Sequence, residues 1–178
     1  MRRLTTMLGA GLLATAAALA TAGVASAGTT AAAAQHRASN CTNEGPFFFN
    51  VTKNTTSYFM GLPNNVSAGK AAFLKPSKNG STLWTLCVSN TTNQVVFLSH
   101  NLALTTRSTS PGETVTMTTV GNNGNGFSSQ QWNYFENGST IEFQNVKTNL
   151  WLRVRNNGPI MGQTVTTGFT PTDWTISS

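Results

Sequence analysis

The sequence predicts an all-β domain assembled from three copies of one four-strand unit. Three observations carry that prediction. Tryptophan recurs at Trp84, Trp132 and Trp174, with steps of 48 and 42 residues. Upstream of each stands a glycine opening a similar segment: Gly69-Lys70-Ala71-Ala72-Phe73, Gly112-Glu113-Thr114-Val115-Thr116 and Gly162-Gln163-Thr164-Val165-Thr166. After Ala27 no segment sustains a 3.6-residue apolar period; apolar and polar positions alternate instead. A period in the forties marks an internal repeat. A four-strand unit cannot bury its apolar face alone, so three must share one core. Closing them around an axis also removes the open sheet edges. The architecture that follows is a β-trefoil. A two-sheet sandwich is the main rival, but it has no need of a threefold recurrence.

Residues 1–27 read as a secretory signal peptide. Arg2 and Arg3 form the positive start, Leu8 to Ala22 the apolar run, and Ala25-Ser26-Ala27 the cleavage site. The run is short for a membrane span, so release is expected rather than anchoring. Residues 28–42, rich in alanine and polar groups, read as a flexible leader, and the domain is expected over 43–178.

The first repeat covers about 47–87. It holds Phe47-Phe48-Phe49-Asn50-Val51, Tyr58-Phe59-Met60-Gly61, the Gly69 segment and Leu83-Trp84-Thr85-Leu86. The second, about 88–135, holds Val95-Val96-Phe97-Leu98, Leu102-Ala103-Leu104, the Gly112 segment and Gln131-Trp132-Asn133-Tyr134. The third, about 138–178, holds Ile141 to Asn145, Leu150 to Val154, the Gly162 segment and Asp173-Trp174-Thr175-Ile176. Phe59, Leu102 and Leu152 each precede their glycine by ten residues, which suggests that they are equivalent. Turn signals separate the segments: Pro63-Asn64-Asn65, Asn79-Gly80, Ser110-Pro111-Gly112, Asn122-Asn123-Gly124, Asn137-Gly138 and Asn157-Gly158-Pro159.

Composition narrows the function classes. Without the signal peptide, nine Lys/Arg face five Asp/Glu, a net charge of +4, and the positive residues are scattered. No basic run marks a nucleic-acid surface. Cys41 and Cys87 are the only cysteines, and in an exported chain such a pair reads as one disulfide. With only His36 and His100 as further soft ligands, no metal-binding spacing is present and no metal or other cofactor is expected. His100 has no evident acid and nucleophile beside it. Glu113 and Glu142, weighed as a glycosidase pair, stand at positions that read as surface. The expectation is a non-catalytic, extracellular binding module, monomeric, without membrane insertion.

Gln130-Gln131-Trp132 resembles the Q-x-W signature of ricin-type β-trefoil lectins. In the third repeat Ile141, Asn145, Thr148, Leu150, Leu152, Val154, Gly162, Val165 and Trp174 are similar to that family's pattern. The resemblance spans about 47–178 and implies a β-trefoil with carbohydrate recognition. It also implies where sugar sites would lie, and there the sequence departs. Arg153 stands where the family places a sugar-binding Asp, and no repeat supplies one. Of the stacking aromatics that follow the glycine segment, only Phe73 comes near.

The threefold recurrence assigns Trp84, Trp132 and Trp174 to the core, with Gln130 as a structural hydrogen-bonder. Trp151 is out of phase with Leu150 and Leu152, so it is expected to face outward beside Arg153 and Arg155. There it would stack on a sugar ring while a guanidinium grips a hydroxyl or acidic group; a cation–π pair between Arg153 and Trp151 is the alternative. Tyr58, near the same place in the first repeat, is a further candidate. Tyr134 is expected to face solvent, Phe127 to cover the core, and the loop Asn122–Phe127 to be a binding loop. The leading functional expectation is lectin-like carbohydrate recognition. The alternative is a protein-binding adaptor or inhibitor subunit of a secreted complex, such as a toxin or defence assembly.

Overall fold

In a computed structural model the described residues are 41–121, 126–154 and 161–178. The expected signal peptide, most of the leader, residues 122–125 of the expected binding loop with the turn at Asn122-Asn123-Gly124, Arg155 and the turn at Asn157-Gly158-Pro159 lie outside them. Twelve strands alternate along the described residues: β1 (Cys41–Lys53), β2 (Thr56–Gly61), β3 (Phe73–Lys75), β4 (Trp84–Ser89), β5 (Gln94–Ser99), β6 (Leu102–Thr105), β7 (Thr116–Thr119), β8 (Trp132–Asn137), β9 (Thr140–Asn145), β10 (Trp151–Arg153), β11 (Thr166–Gly168) and β12 (Thr175–Ser177). β1 begins at Cys41, so Cys41 and Thr42 belong to the folded domain, although the sequence places them at the end of the leader.

Six strands close a ring. β1 pairs with β4, β4 with β5, β5 with β8, and β8 with β9, all antiparallel. Ile141 at the start of β9 exchanges both backbone hydrogen bonds with Trp174, at 2.8 and 2.9 Å. Trp174 leads into β12, which returns to β1. The other six strands form the hairpins β2–β3, β6–β7 and β10–β11. The glycine segments meet on the axis. Ala72 N donates to Val115 O, Val115 N to Val165 O, and Val165 N to Ala72 O, at 3.2, 3.1 and 2.9 Å. This cyclic triangle satisfies three buried amides at once. It also explains the glycines. Gly69, Gly112 and Gly162 have φ of +86°, +87° and +78°, and a Cβ on any of them would meet nothing within 4 Å. Backbone conformation, not space, selects glycine there.

The register reveals the pseudo-threefold in the core. Phe49, Phe97 and Phe143 stand opposite Ile176, Leu86 and Tyr134. The three rings meet edge to face with centroids 5.0, 5.8 and 4.8 Å apart. Trp84, Trp132 and Trp174 are fully buried. Their indole N–H groups donate to the carbonyls of Met60 (2.9 Å), Leu104 (3.3 Å) and Leu152 (3.3 Å). A buried indole needs such a partner, and here the partner is the hairpin strand of the same repeat.

Those three bonds correct the overlay suggested by the ten-residue spacing. Met60, Leu104 and Leu152 are the equivalent positions, not Phe59, Leu102 and Leu152. The turns between hairpin strands differ in length, so equal spacing to the glycine does not mean equal position. Tyr134 is likewise buried rather than solvent-facing, since two residues on from the inward Trp132 it shares that strand face. Phe127 lies against Gly121 but is 58% exposed, so it covers little of the core.

Candidate recognition surface

The same register defines three equivalent outward faces, one per repeat. The first carries Ser177, Phe48, Asn50 and Phe59. The second carries Cys87, Val96, Leu98 and Ala103. The third carries Phe135, Glu142, Gln144 and Trp151. In each, alternation along the strand puts one residue set inward and the next outward.

The third face is the most exposed aromatic surface of the three. Trp151 is half-buried, in register with Gln144 on one side and Gly168 on the other. Its ring lies against Phe135 at 5.3 Å between centroids, tilted by 56°. Phe135 is 43% exposed. Polar groups border the pair. Asn133 pairs with Gln144, and Gln144 Nε2 donates to Asn149 O at 3.0 Å. Glu142 stands directly opposite Phe135. Burial pushes the Glu142 carboxyl above its ordinary value, and Asp173 adds to the rise, while a hydrogen bond from Asn137 lowers it. Asp173 is itself held by Asn137 Nδ2 and Thr140 Oγ1, both at 3.2 Å.

Phe135 was missed by sequence reasoning because its turn to the surface depends on the cross-strand register. One signal was available: Phe135 is three residues from the inward Trp132, and an odd offset on a strand means the opposite face. Arg153 shares the face of Trp151, but its guanidinium turns away, with Nη1 donating to Thr170 Oγ1 at 3.0 Å and Nε to Val154 O at 3.3 Å. Among the described residues the cation–ring pairs are Lys75 over Phe73 and Lys78 over Phe48, not Arg153 over Trp151. Tyr58 pairs with Val51 and is half-buried. The first-repeat counterpart of Trp151 is Phe59, because Met60 matches Leu152.

The positions where the resemblance implies sugar sites are filled by the protein's own side chains. In the third repeat Arg153 lies across Gly168, so a Cβ there would sit 2.3 Å from Arg153 Cδ. In the second, Thr105 and Thr118 share a hydroxyl hydrogen bond of 2.6 Å. Buried Gln130 donates from Nε2 to Thr118 Oγ1 and to Thr119 O, both at 2.8 Å. Its Oε1 accepts from Gly121 N and Phe127 N, both at 3.0 Å. In the first, Lys75 Nζ donates to Ser81 Oγ, and a Cβ on Gly61 would approach Thr82 Cγ2 to 2.7 Å.

The second face is closed. Cys41 bonds to Cys87 with 5.4 Å between Cα atoms, and the strand Cys41–Glu44 runs antiparallel to Leu86–Ser89. Cys87, Val96 and Ala103 form an apolar cluster outside the barrel, with Cys41, Leu98 and Val120 packed against it.

No protein-family model and no curated protein sequence matches the chain. Solved structures do. The designed 3-fold symmetric protein ThreeFoil superposes with a TM-score of 0.62 at 16% identity, over 74% of this chain and 98% of that one. The chain is a β-trefoil. The BEL β-trefoil gives a TM-score of 0.55 at 13% identity, over 78% of this chain and 96% of that one. A lectin of Polyporus squamosus, solved with the epitope Neu5Aca2-6Galb1-4GlcNAc, gives 0.58 at 12% identity, over 75% of this chain and 49% of that one. The β-trefoil chain thus spans about half the length of that lectin. At such identities the likeness carries the fold, and function has to be argued from the site.

Proposed function

We propose that this β-trefoil is a secreted, non-catalytic carbohydrate-recognition module whose binding surface is the outward face of the third repeat. The observation that carries the reading is the Phe135–Trp151 pair, a partly exposed aromatic platform bordered by Gln144, Asn133 and Glu142. A sugar ring stacks its C–H face on an aromatic while its hydroxyls take hydrogen bonds from amides and carboxylates, the pattern of a few oriented polar groups around an apolar floor. The Trp151 indole supplies the floor, Phe135 a tilted wall, and Gln144 and Glu142 the polar edge. Arg153 and Tyr58 are given lesser roles: the guanidinium is committed to Thr170, and Tyr58 is not the equivalent of Trp151. The single disulfide is compatible with an oxidising, extracellular setting.

A protein-binding role, as adaptor or inhibitor subunit of a secreted complex, is the second reading. It is favoured by the three filled positions beside the hairpins and by Phe169 and Met161, 74% and 63% exposed. The test is retention on immobilised neutral polysaccharides, paired with pull-down from the native culture medium. Trp151→Ala should abolish retention and leave the thermal midpoint nearly unchanged. Silence on every glycan together with a stoichiometric protein partner would replace the lectin reading with the adaptor one.

A further inference from the structure

We propose that the outward face of the first repeat is a second recognition surface, and that it takes an anionic polysaccharide. The inference rests on the reading of the third face as a saccharide surface, because the pseudo-threefold relates the two. Phe59 occupies the position of Trp151, and Phe48 that of Glu142, as the strand register dictates. Both faces therefore present an aromatic pair. Phe48 and Phe59 meet edge to face at 6.3 Å between centroids, and both are half-buried.

Their borders differ in sign. Where the third face has Glu142 with Asp173 close by, the first has lysines. Lys78 Nζ stands 4.5 Å from the Phe48 ring centroid. Lys75 is directly opposite Phe59 in register, and its Nζ lies 5.3 Å from the Phe73 centroid. An ammonium has three donors. Lys78 directs one to an oxygen of the terminal carboxylate of Ser178 at 3.5 Å, a long and exposed contact, and Lys75 one to Ser81 Oγ. Among the described residues neither lysine is hydrogen-bonded or ion-paired to a carboxylate side chain. An ammonium over a ring face keeps its outer hemisphere in water and open to an anion. Two ammonium groups against one exposed terminal carboxylate leave this face net positive, so aromatic carbon for the sugar face and ammonium donors for carboxylate, sulfate or phosphate substituents make an anionic saccharide the complementary ligand. The carboxylates of the third face repel that ligand. The second face offers no such site, because Ala103 replaces the aromatic and Cys41, Leu98 and Val120 pack against its apolar cluster.

The domain is thus bivalent, with two saccharide surfaces of opposite electrostatic character. Polygalacturonate and the neutral polymer that the Trp151 test identifies would be titrated against the full folded domain at low salt. Lys78→Glu should weaken polygalacturonate binding about tenfold or more, the effect of reversing one close charge contact. Lys78→Gln should weaken it about threefold, as one neutralised contact of that kind would. Lys147→Glu, an equal change of net charge at an exposed turn, should alter it less than about twofold, since distant surface charges are screened. Trp151→Ala should leave polygalacturonate binding intact, and saturating neutral polymer should not displace polygalacturonate. Absence of polygalacturonate binding by the wild-type protein would overturn the proposal. So would an equal loss in Lys147→Glu, which means diffuse attraction, or loss in Trp151→Ala, which means a single site. If instead the third-face reading alone is wrong, Trp151→Ala leaves neutral retention untouched while Lys78 still governs the anionic polymer.

Discussion

The second and third repeats share one backbone plan and use its outer face in opposite ways. On the third, Phe135, Glu142 and Trp151 stand toward solvent, bordered by amides. On the second, the matching Cys87, Val96 and Ala103 are buried in a cluster against which Cys41, Leu98 and Val120 pack. The strands in both cases are held by the same inward residues: a tryptophan bonded to a hairpin carbonyl and a phenylalanine in the axial triad. Inward positions are tied to one another by the shared core, so they vary little between repeats. Outward positions carry no such tie. Each face is free to become a binding surface or to be closed by the chain's own apolar side chains.

The sharpest way to break this comparison is to uncover the second face. Replacing both cysteines with serine removes a cross-link spanning 46 residues. The chain-entropy model puts the loss at about 4 kcal/mol, readable by equilibrium denaturation, with new binding of an apolar dye as Val96 and Ala103 emerge. A loss below about 1 kcal/mol, the scale of an ordinary surface change, would show that backbone pairing between β1 and β4 holds the cover unaided.

Gln130→Ala comes next. It strands the backbone amides of Gly121 and Phe127 and takes a donor from Thr118 Oγ1 and Thr119 O. A cost of about 2–3 kcal/mol is expected for unsatisfied buried groups. Polysaccharide retention at temperatures where the variant is folded should not change. A selective loss of retention would move the site to the second repeat.

Phe135→Ala should weaken retention by about tenfold, or ~1.4 kcal/mol, as loss of part of a stacking platform does. Its coupling to Trp151 in a double-mutant cycle should be about 0.5–1.5 kcal/mol, the range for aromatic pairs. Zero coupling would mean that only one of the two rings meets the ligand.

The smallest effect concerns Glu142. Its folded carboxyl titrates above the ordinary value of 4.5, chiefly through burial and then through Asp173. Its contribution to stability is therefore fully present below that ordinary value and falls as pH rises through it to the raised folded value. Glu142→Gln should flatten that decline and slightly raise the thermal midpoint at neutral pH. An unchanged pH profile of the midpoint would show that the carboxyl is freely hydrated.

Much of the fold was legible because threefold demands are repeated demands. A core shared by three units calls for tryptophan three times, and an axial turn with positive φ calls for glycine three times. Trp84, Trp132, Trp174, Gly69, Gly112 and Gly162 therefore stand out of the chain by recurrence alone. The candidate surface was legible only in part. Alternation within a single strand placed Trp151 outward. Its neighbour Phe135 comes from another strand, and nothing local states which residues of β8 and β10 face each other across β9. The overlay of Tyr58 with Trp151 went astray for a related reason. Hairpin turns differ by a residue or two, and only the tryptophan hydrogen bonds show that Met60 and Leu152 correspond.

Sequence by itself determined the all-β class, the threefold plan and the pairing of Cys41 with Cys87, since each follows from residue type, period or a count of two. Only the tertiary structure decided which of three equivalent faces is open. That choice depends on what packs across strand boundaries: Phe135 against Trp151 on the third face, and Cys41, Leu98 and Val120 against Cys87, Val96 and Ala103 on the second. Local pattern specifies which way a side chain points. What it meets there is set by residues far away in the chain, brought close when the barrel closes.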